Sequence, residues 1–379
     1  MSVSPMNRIK KYTIGFRFIC FIGVLLSLFC STFSSPQTPS FIPYFTPQEF
    51  TSLIWECSEP SGYFSTDTWV SNELTYLDVL EPLDRYKVKG GVYIGVGPDQ
   101  NFTYITAIKP ELAFIVDIRE QNRMQHLYFK LLFELAETRA EFLSLLFSKP
   151  LDPKKDTMLK KNHNIDSLVI YLYQTSSDPK MHDKTRKQVL ELLKDKYGFQ
   201  LTLSEQSELN YVIDAFYEYS IDITYNGYRR SWYPTIGSLL QARTPKGEQK
   251  NPFNSDEDYQ YLRKMNLENR IVPITGNFAG GKALKAIAQY LINHKKTVTA
   301  FYVSNVEEYV IGNYYDWQQW VVNMKAMPTT DTSVIIRWTH TGGGSNQMTQ
   351  LQFIKTFLKN YDEGKYRTYS DLIWLDYIK

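Results

Sequence analysis

Cysteine is nearly absent: the 379-residue chain holds three, and Cys20 and Cys30 both sit in an apolar stretch near the start. Only Cys57 is left in the body of the chain, so no intramolecular disulfide can form once that stretch is removed, and packing must supply the stability. Histidine is also scarce. His126, His163, His182, His294 and His340 show no HxH, HExxH or Cys-His spacing, which argues against a zinc site and predicts no metal. Neither sign of charge dominates, with 42 Lys and Arg against 40 Asp and Glu. A near-neutral chain lacks the basic surface that phosphate backbones require, which argues against nucleic acid as a partner. The chain has no repeat of fixed period. It also lacks a G-x-S-x-G elbow, so an α/β-hydrolase nucleophile is not indicated.

No long hydrophobic run exists either. The longest charge-free apolar segment, Phe18 to Cys30, has thirteen residues, short of the ~20 that a comfortable membrane span needs. Arg8, Lys10, Lys11 and Arg17 precede it, and the small, polar STFSSPQTPS follows. This pattern predicts a signal peptide or membrane anchor over residues 1–35, cut near Ser34 or Ser35 if it is a signal. The early positive charges place the rest of the chain outside the cytoplasm, in the periplasm or cell envelope. Lipidation at Cys30 is the alternative, although Phe29 is bulky for such a site. Membrane contact is expected only through this segment.

What the chain does have is alternation. Apolar runs at Val92 to Gly97, Ala113 to Ile118, Ile271 to Thr275, Val298 to Val303 and Ser333 to Arg337 are interleaved with helical patterns. The helical patterns fall at Gln100 to Ile108, Met124 to Leu135, Lys282 to Asn293 and Gln347 to Leu358. Strands alternating with helices of this length predict an α/β, Rossmann-like fold, a mostly parallel sheet with helices on both faces. Thr46-Pro-Gln-Glu and Thr138-x-x-Glu141 are helix starts, and a further helix is expected from about Asn72 to Tyr86. Residues of about 150–270 are charged and mostly helical and read as an insertion or cap within one domain spanning 36–379.

The stretch GGVYIGVGPDQNFTYITAIKPELAFIVDIR carries the strongest functional signal. Gly95 and Gly97 allow a ligand to approach the backbone, and Gln100 and Asn101 open a helix whose N–H groups face it. Asp117 lies 22 residues after Gly95, near the spacing at which an acid accepts from ribose hydroxyls. The alternative is a tight turn, with Asp117 paired to Arg119. Gly276 to Lys282 matches the phosphate-loop pattern G-x-x-x-x-G-K, but Ala283 stands where a magnesium-ligating Ser or Thr belongs. Asn277, Asn305 and Glu307 lie at the ends of later strands and are expected to join the same crevice. His340, beside Gly342 to Gly344, is a weaker candidate for an acid or base.

These blocks, with RAEFLSLLFSKP, NRIVPITGNFAGGKALKAIAQYL and VTAFYVSNVEEYV, resemble an uncharacterised bacterial family of exported, Rossmann-type, methyltransferase-like proteins, some of them lipoproteins. The resemblance runs from about residue 45 to 340. It implies the fold, a crevice and S-adenosylmethionine as the cofactor to test, with methyl transfer only by analogy. Where relatives carry an acid in a strand-end GDF block, this chain has Asn277. Two functions follow as expectations. One is an enzyme holding an adenosyl or other nucleotide-like ligand; the other is a non-catalytic exported binding or envelope protein with a degenerate cofactor pocket. The sequence assigns no catalytic residue.

Overall fold

Strands that are apolar on both sides are stable only between two covering layers. The computed structural model describes residues 44–152, 164–227, 233–341 and 346–378 and shows such a sheet. Its strands are β1 (Val92–Gly95), β2 (Leu112–Asp117), β3 (Ile271–Thr275), β4 (Val298–Ser304), β5 (Thr329–Thr341) and β6 (Asn346–Phe353). The spatial order is β3-β2-β1-β4-β5-β6, with β1 to β5 parallel and β6 antiparallel to β5. Every residue of β1, β2 and β3 is buried. The order reverses between β1 and β4, which is the switch point where open α/β sheets form their crevice.

The capping expectations hold. Thr46 and Glu49 exchange the two bonds of a capping box at the start of α1 (Pro47–Cys57). Thr138 and Glu141 do the same for α5 (Arg139–Phe147). Between them run α2 (Leu80–Arg85), α3 (Gln100–Ile108) and α4 (Glu120–Leu135). The 164–267 region adds α6 (Ile165–Gln174), α7 (Pro179–Glu191), α8 (Leu203–Tyr219), α9 (Ile236–Leu240) and α10 (Asp256–Leu267). Then follow α11 (Ala283–Asn293), α12 (Val306–Val310), α13 (Tyr314–Ala326), α14 (Ile354–Asp362) and α15 (Tyr369–Trp374). Helices α3, α4 and α10 pack together as one layer; α1, α11 and α13 form the other.

Two expectations are corrected. The helix expected from Asn72 begins only at Leu80, and the chain from Ser58 to Val79 runs as turns and extended backbone. Its polar side chains are drawn to the sheet edge, and Leu74 is exposed instead of contributing to an apolar stripe. The helix expected at Gln347 is instead strand β6, with α14 starting at Ile354. The strand wins there because Thr349 to Gln352 are all buried and the two glutamines find partners: Gln350 Nε2 donates to the Ile373 carbonyl and Gln352 Oε1 accepts from Arg337.

The Arg337 guanidinium, on β5, is also paired with the Glu307 carboxylate on α12, and each side chain is only 1% exposed. Trp320 Nε1 adds a bond of 3.0 Å to Glu307 Oε1. Removing one partner of a buried pair leaves an uncompensated charge, a cost of ~3–5 kcal/mol. Arg337→Leu is therefore expected to lower the unfolding free energy by that amount in urea titration, and Glu307→Gln added to it should restore part of the loss. A change below ~1 kcal/mol would show the pair to be unimportant.

Candidate functional site

A single strap, Ser58 to Tyr76, crosses the sheet edge formed by the carboxyl ends of the parallel strands, in the order in which the strands lie in the sheet. At β3, Glu59 N donates to the Thr275 carbonyl (3.0 Å). At β2, Gly62 N donates to the Ile118 carbonyl (2.8 Å) and Arg119 donates to the Thr66 carbonyl (3.0 Å). At β1 and β4 the anchors are Ser71 and Glu73; at β6, Thr75 Oγ1 meets Thr349 Oγ1 at 2.9 Å. This edge is where ligands of such sheets gather.

At the switch point the strap places a carboxyl group. Glu73 is 1% exposed and accepts from Gln100 Nε2 on Oε2, and from Tyr302 OH and Ser304 Oγ on Oε1, each at 2.6 Å. Ser71 Oγ donates to the other end of the Gln100 amide, and Gln100 Nε2 also reaches Tyr104 OH at 2.9 Å. Burial pushes the Glu73 carboxyl up to about 7, against the lowering effect of its Ser304, Tyr302 and Gln100 bonds. Asp99, whose carboxylate accepts weakly from Ser71 N (3.4 Å), is pushed up to about 6, again chiefly by burial.

The glycine turn is engaged with its own neighbours. A Cβ at Gly95 would collide with Asn101 Oδ1 and Tyr93 OH, so the missing side chain makes room for internal groups. Asn101 Oδ1 accepts from Tyr93 OH (2.8 Å), and its Nδ2 donates to the carbonyls of Val96, Gly97 and Pro98. Gly97 takes φ +76° with open space where a Cβ would point. Asp117, one strand over, is gripped by Arg119, whose Nε and Nη2 donate to its two oxygens at 3.0 and 2.9 Å. The turn and the acid thus lie side by side on β1 and β2, and Asp117 already holds a cation.

The later candidates are also occupied. Glu59 sits inside the Gly276 to Lys282 loop: its Oε1 accepts from Asn277 N (2.6 Å) and its Oε2 from Lys282 N (3.1 Å). A carboxylate of the protein therefore fills the place a phosphate would take in such a loop. The Asn277 side chain accepts from Ala279 N (2.9 Å) within its own loop. Asn305 Nδ2 donates to Glu308 (3.1 Å), and Glu307 is committed to Arg337, so neither joins the Gly95 turn. His340 is exposed on β5; Gly342 to Gly344 lie outside the described residues, as does the 1–35 segment. Among the described residues no three His, Cys, Asp or Glu side chains converge as a metal site would, and no helix is long and apolar enough to cross a membrane.

Sequence reasoning missed Glu59, Glu73 and His126. His126 lies on α4 with Asn122 and Gln125, all buried, and its Nε2–H donates to the Gly97 carbonyl at 2.8 Å. Burial pushes this imidazole down to about 4, so it is neutral. Thr68 Oγ1, Asn122 Nδ2, Gln125 Oε1 and His126 Nδ1 are buried without a protein partner. The one available signal was polar residues recurring inside an otherwise apolar helix.

A family model matches residues 68–167 and 171–366, most of the described chain. The chain belongs to DUF7790, a family defined by a domain of unknown function. A search of curated proteins finds none that matches. The match covers both sides of the switch point, including Glu73, Gln100 and Ser304.

Glu73 has a definite pH signature. Its folded value lies above the ordinary 4.5, so the folded protein keeps a proton between about pH 4.5 and 7 that the unfolded chain has released. The resulting stability is complete below that window and is lost as pH rises through it, by ~3 kcal/mol. Asp99 acts with the same sign. His126 acts with the opposite sign between pH 6.5 and about 4, so the difference between wild type and Glu73→Gln isolates the term. Relative to that variant, the wild type should lose ~3 kcal/mol between pH 4.5 and 8 in urea titrations. Parallel curves would contradict the assignment.

Proposed function

We propose that this protein works without an adenosyl or nicotinamide cofactor, as an exported binding protein whose Rossmann-like crevice has become degenerate. One observation carries this reading: the strap and its neighbours fill the cofactor-binding positions at the carboxyl edge. Asp117, the expected ribose acceptor, is saturated by Arg119. Glu59 stands in the phosphate-type loop, and Glu73 and Asp99 line the switch point with carboxyl groups that disfavour an anionic ligand. The apolar segment and basic flank before residue 36 support export. Binding would then use exposed surface, and the strap and α12 offer aromatic rings for it: Tyr63 of the strap and Tyr309 of α12 are exposed, and Tyr309 meets Phe64 edge-on at 5.6 Å.

A second reading, a phosphate-free adenosyl ligand such as S-adenosylmethionine under the strap, is favoured by the unpartnered polar atoms beside the Gly97 bend. Methyltransferase-like activity belongs to that reading alone. Thermal melting of the full chain with S-adenosylmethionine, S-adenosylhomocysteine, NAD and ATP separates the two. A ligand at 100 times its Kd adds ~2.7 kcal/mol, roughly 4 °C for a chain of this size. No concentration-dependent shift is expected with any of the four. A saturable shift with an adenosyl compound, lost in Asp117→Ala, would overturn the proposal.

A further inference from the structure

We propose that Ser304 and Glu73 form a nucleophile–base pair for acyl transfer from an ester to water, a chemistry that needs no cofactor. This goes beyond the binding reading and does not rest on it. The first observation is backbone geometry. Ser304 ends β4 with φ +50°, and α12 begins two residues later. The other non-glycine residues with left-handed φ, Thr68 apart, all follow helix C-termini, where that conformation is routine. A serine forced into it on a strand-to-helix turn is the arrangement that presents a nucleophilic hydroxyl above a sheet. Tyr302 and Val306 flank the turn where the G-x-S-x-G motif has glycines, so the sequence pattern does not show it.

The second observation is the base. Ser304 Oγ donates to Glu73 Oε1 at 2.6 Å, within the range for proton transfer. Glu73 is itself oriented, by Gln100 Nε2 on Oε2 and Tyr302 OH on Oε1, with Ser71 fixing the Gln100 amide. That is the chain of nucleophile, base and orienting group that activates a hydroxyl. The third is access. Ser304 is partly exposed at the switch point, whereas Glu73 is sealed beneath it. Phe64 and Tyr309 are in edge contact, and Tyr309 lies on α12, the helix that the Ser304 turn opens. Their rings suit an aryl ester.

In the first step Ser304 Oγ bonds to the ester carbonyl carbon while its proton passes to Glu73. The carbonyl carbon–alkoxy bond then breaks, and the leaving alcohol takes that proton. Water attacks the acyl-serine with Glu73 accepting its proton, which returns to Oγ as the acid departs. Around Glu73 stand Tyr104 of α3, Tyr302 of β4 and Tyr93 of β1, and the Tyr104 hydroxyl donates to the carbonyl of Tyr76 in the strap. Burial holds all four phenols far above neutral pH, so they stay protonated. The neighbouring Asp99 titrates near 6.

The test is covalent labelling of the full chain with an aryl fluorophosphonate, read by intact mass and peptide mapping. We expect one adduct, on Ser304, with a rate that rises with pH and levels off above about 7. Ser304→Ala should abolish it. Glu73→Gln should slow it at least ~100-fold, and Tyr302→Phe, a smaller change to the fold, should slow it less. Circular dichroism checks that each variant is folded. No Ser304 adduct on folded wild type between pH 6 and 9, an adduct elsewhere, or equal rates in wild type and a folded Glu73→Gln would overturn the proposal. Failure here leaves the cofactor result unaffected, because the probe contains no nucleotide.

Discussion

A carboxyl group placed in a nearly anhydrous position is costly unless several donors meet it, and Glu73 is met by three. Those donors come from α3 and β4, the two elements that flank the point where the strand order reverses. One side chain of the strap thereby ties together both halves of the sheet at the place where such folds normally open. The remaining anchors extend the same principle outward. Glu59 satisfies the backbone amides of the loop after β3, and Arg119 links the β2 carboxylate to strap carbonyls. The N–H groups and acids that the fold exposes at this edge are therefore satisfied from within.

Satisfaction from within explains why glycines and acids at cofactor-like spacing need not imply a cofactor. Gly95 gives room to Asn101 and Tyr93, and Asp117 balances Arg119. The same spacing would suit a ribose and a ligand backbone equally well. Membership in the DUF7790 family adds no chemistry of its own. Function therefore rests on how the groups at this edge are paired and on which of them, like Ser304, are presented on a left-handed turn.

Much of the architecture was legible because it is written locally. Apolar runs located the strands β2 to β4 within one residue and β1 within two, since β1 ends at Gly95. Thr46-Glu49 and Thr138-Glu141 located two helix starts. Local pattern failed where tertiary partners override it: Gln350 and Gln352 look helical until Ile373 and Arg337 bond to them. The site was less legible for the same reason. Glu73 and Ser304 stand 231 positions apart, and only the assembled sheet brings them together. A lone glutamate in a stretch that reads as a helix gives no local sign of this.

The strap belongs to the folded core of the sheet edge and is not a surface loop. Native-state amide hydrogen exchange tests it directly at Glu59, Gly62 and Trp69, whose N–H groups donate to the carbonyls of Thr275, Ile118 and Tyr225. At pH 6 these amides are predicted to exchange with free energies close to those of β1 and β2, opening only with global unfolding. Exchange at loop-like rates while the strands stay protected would contradict the account.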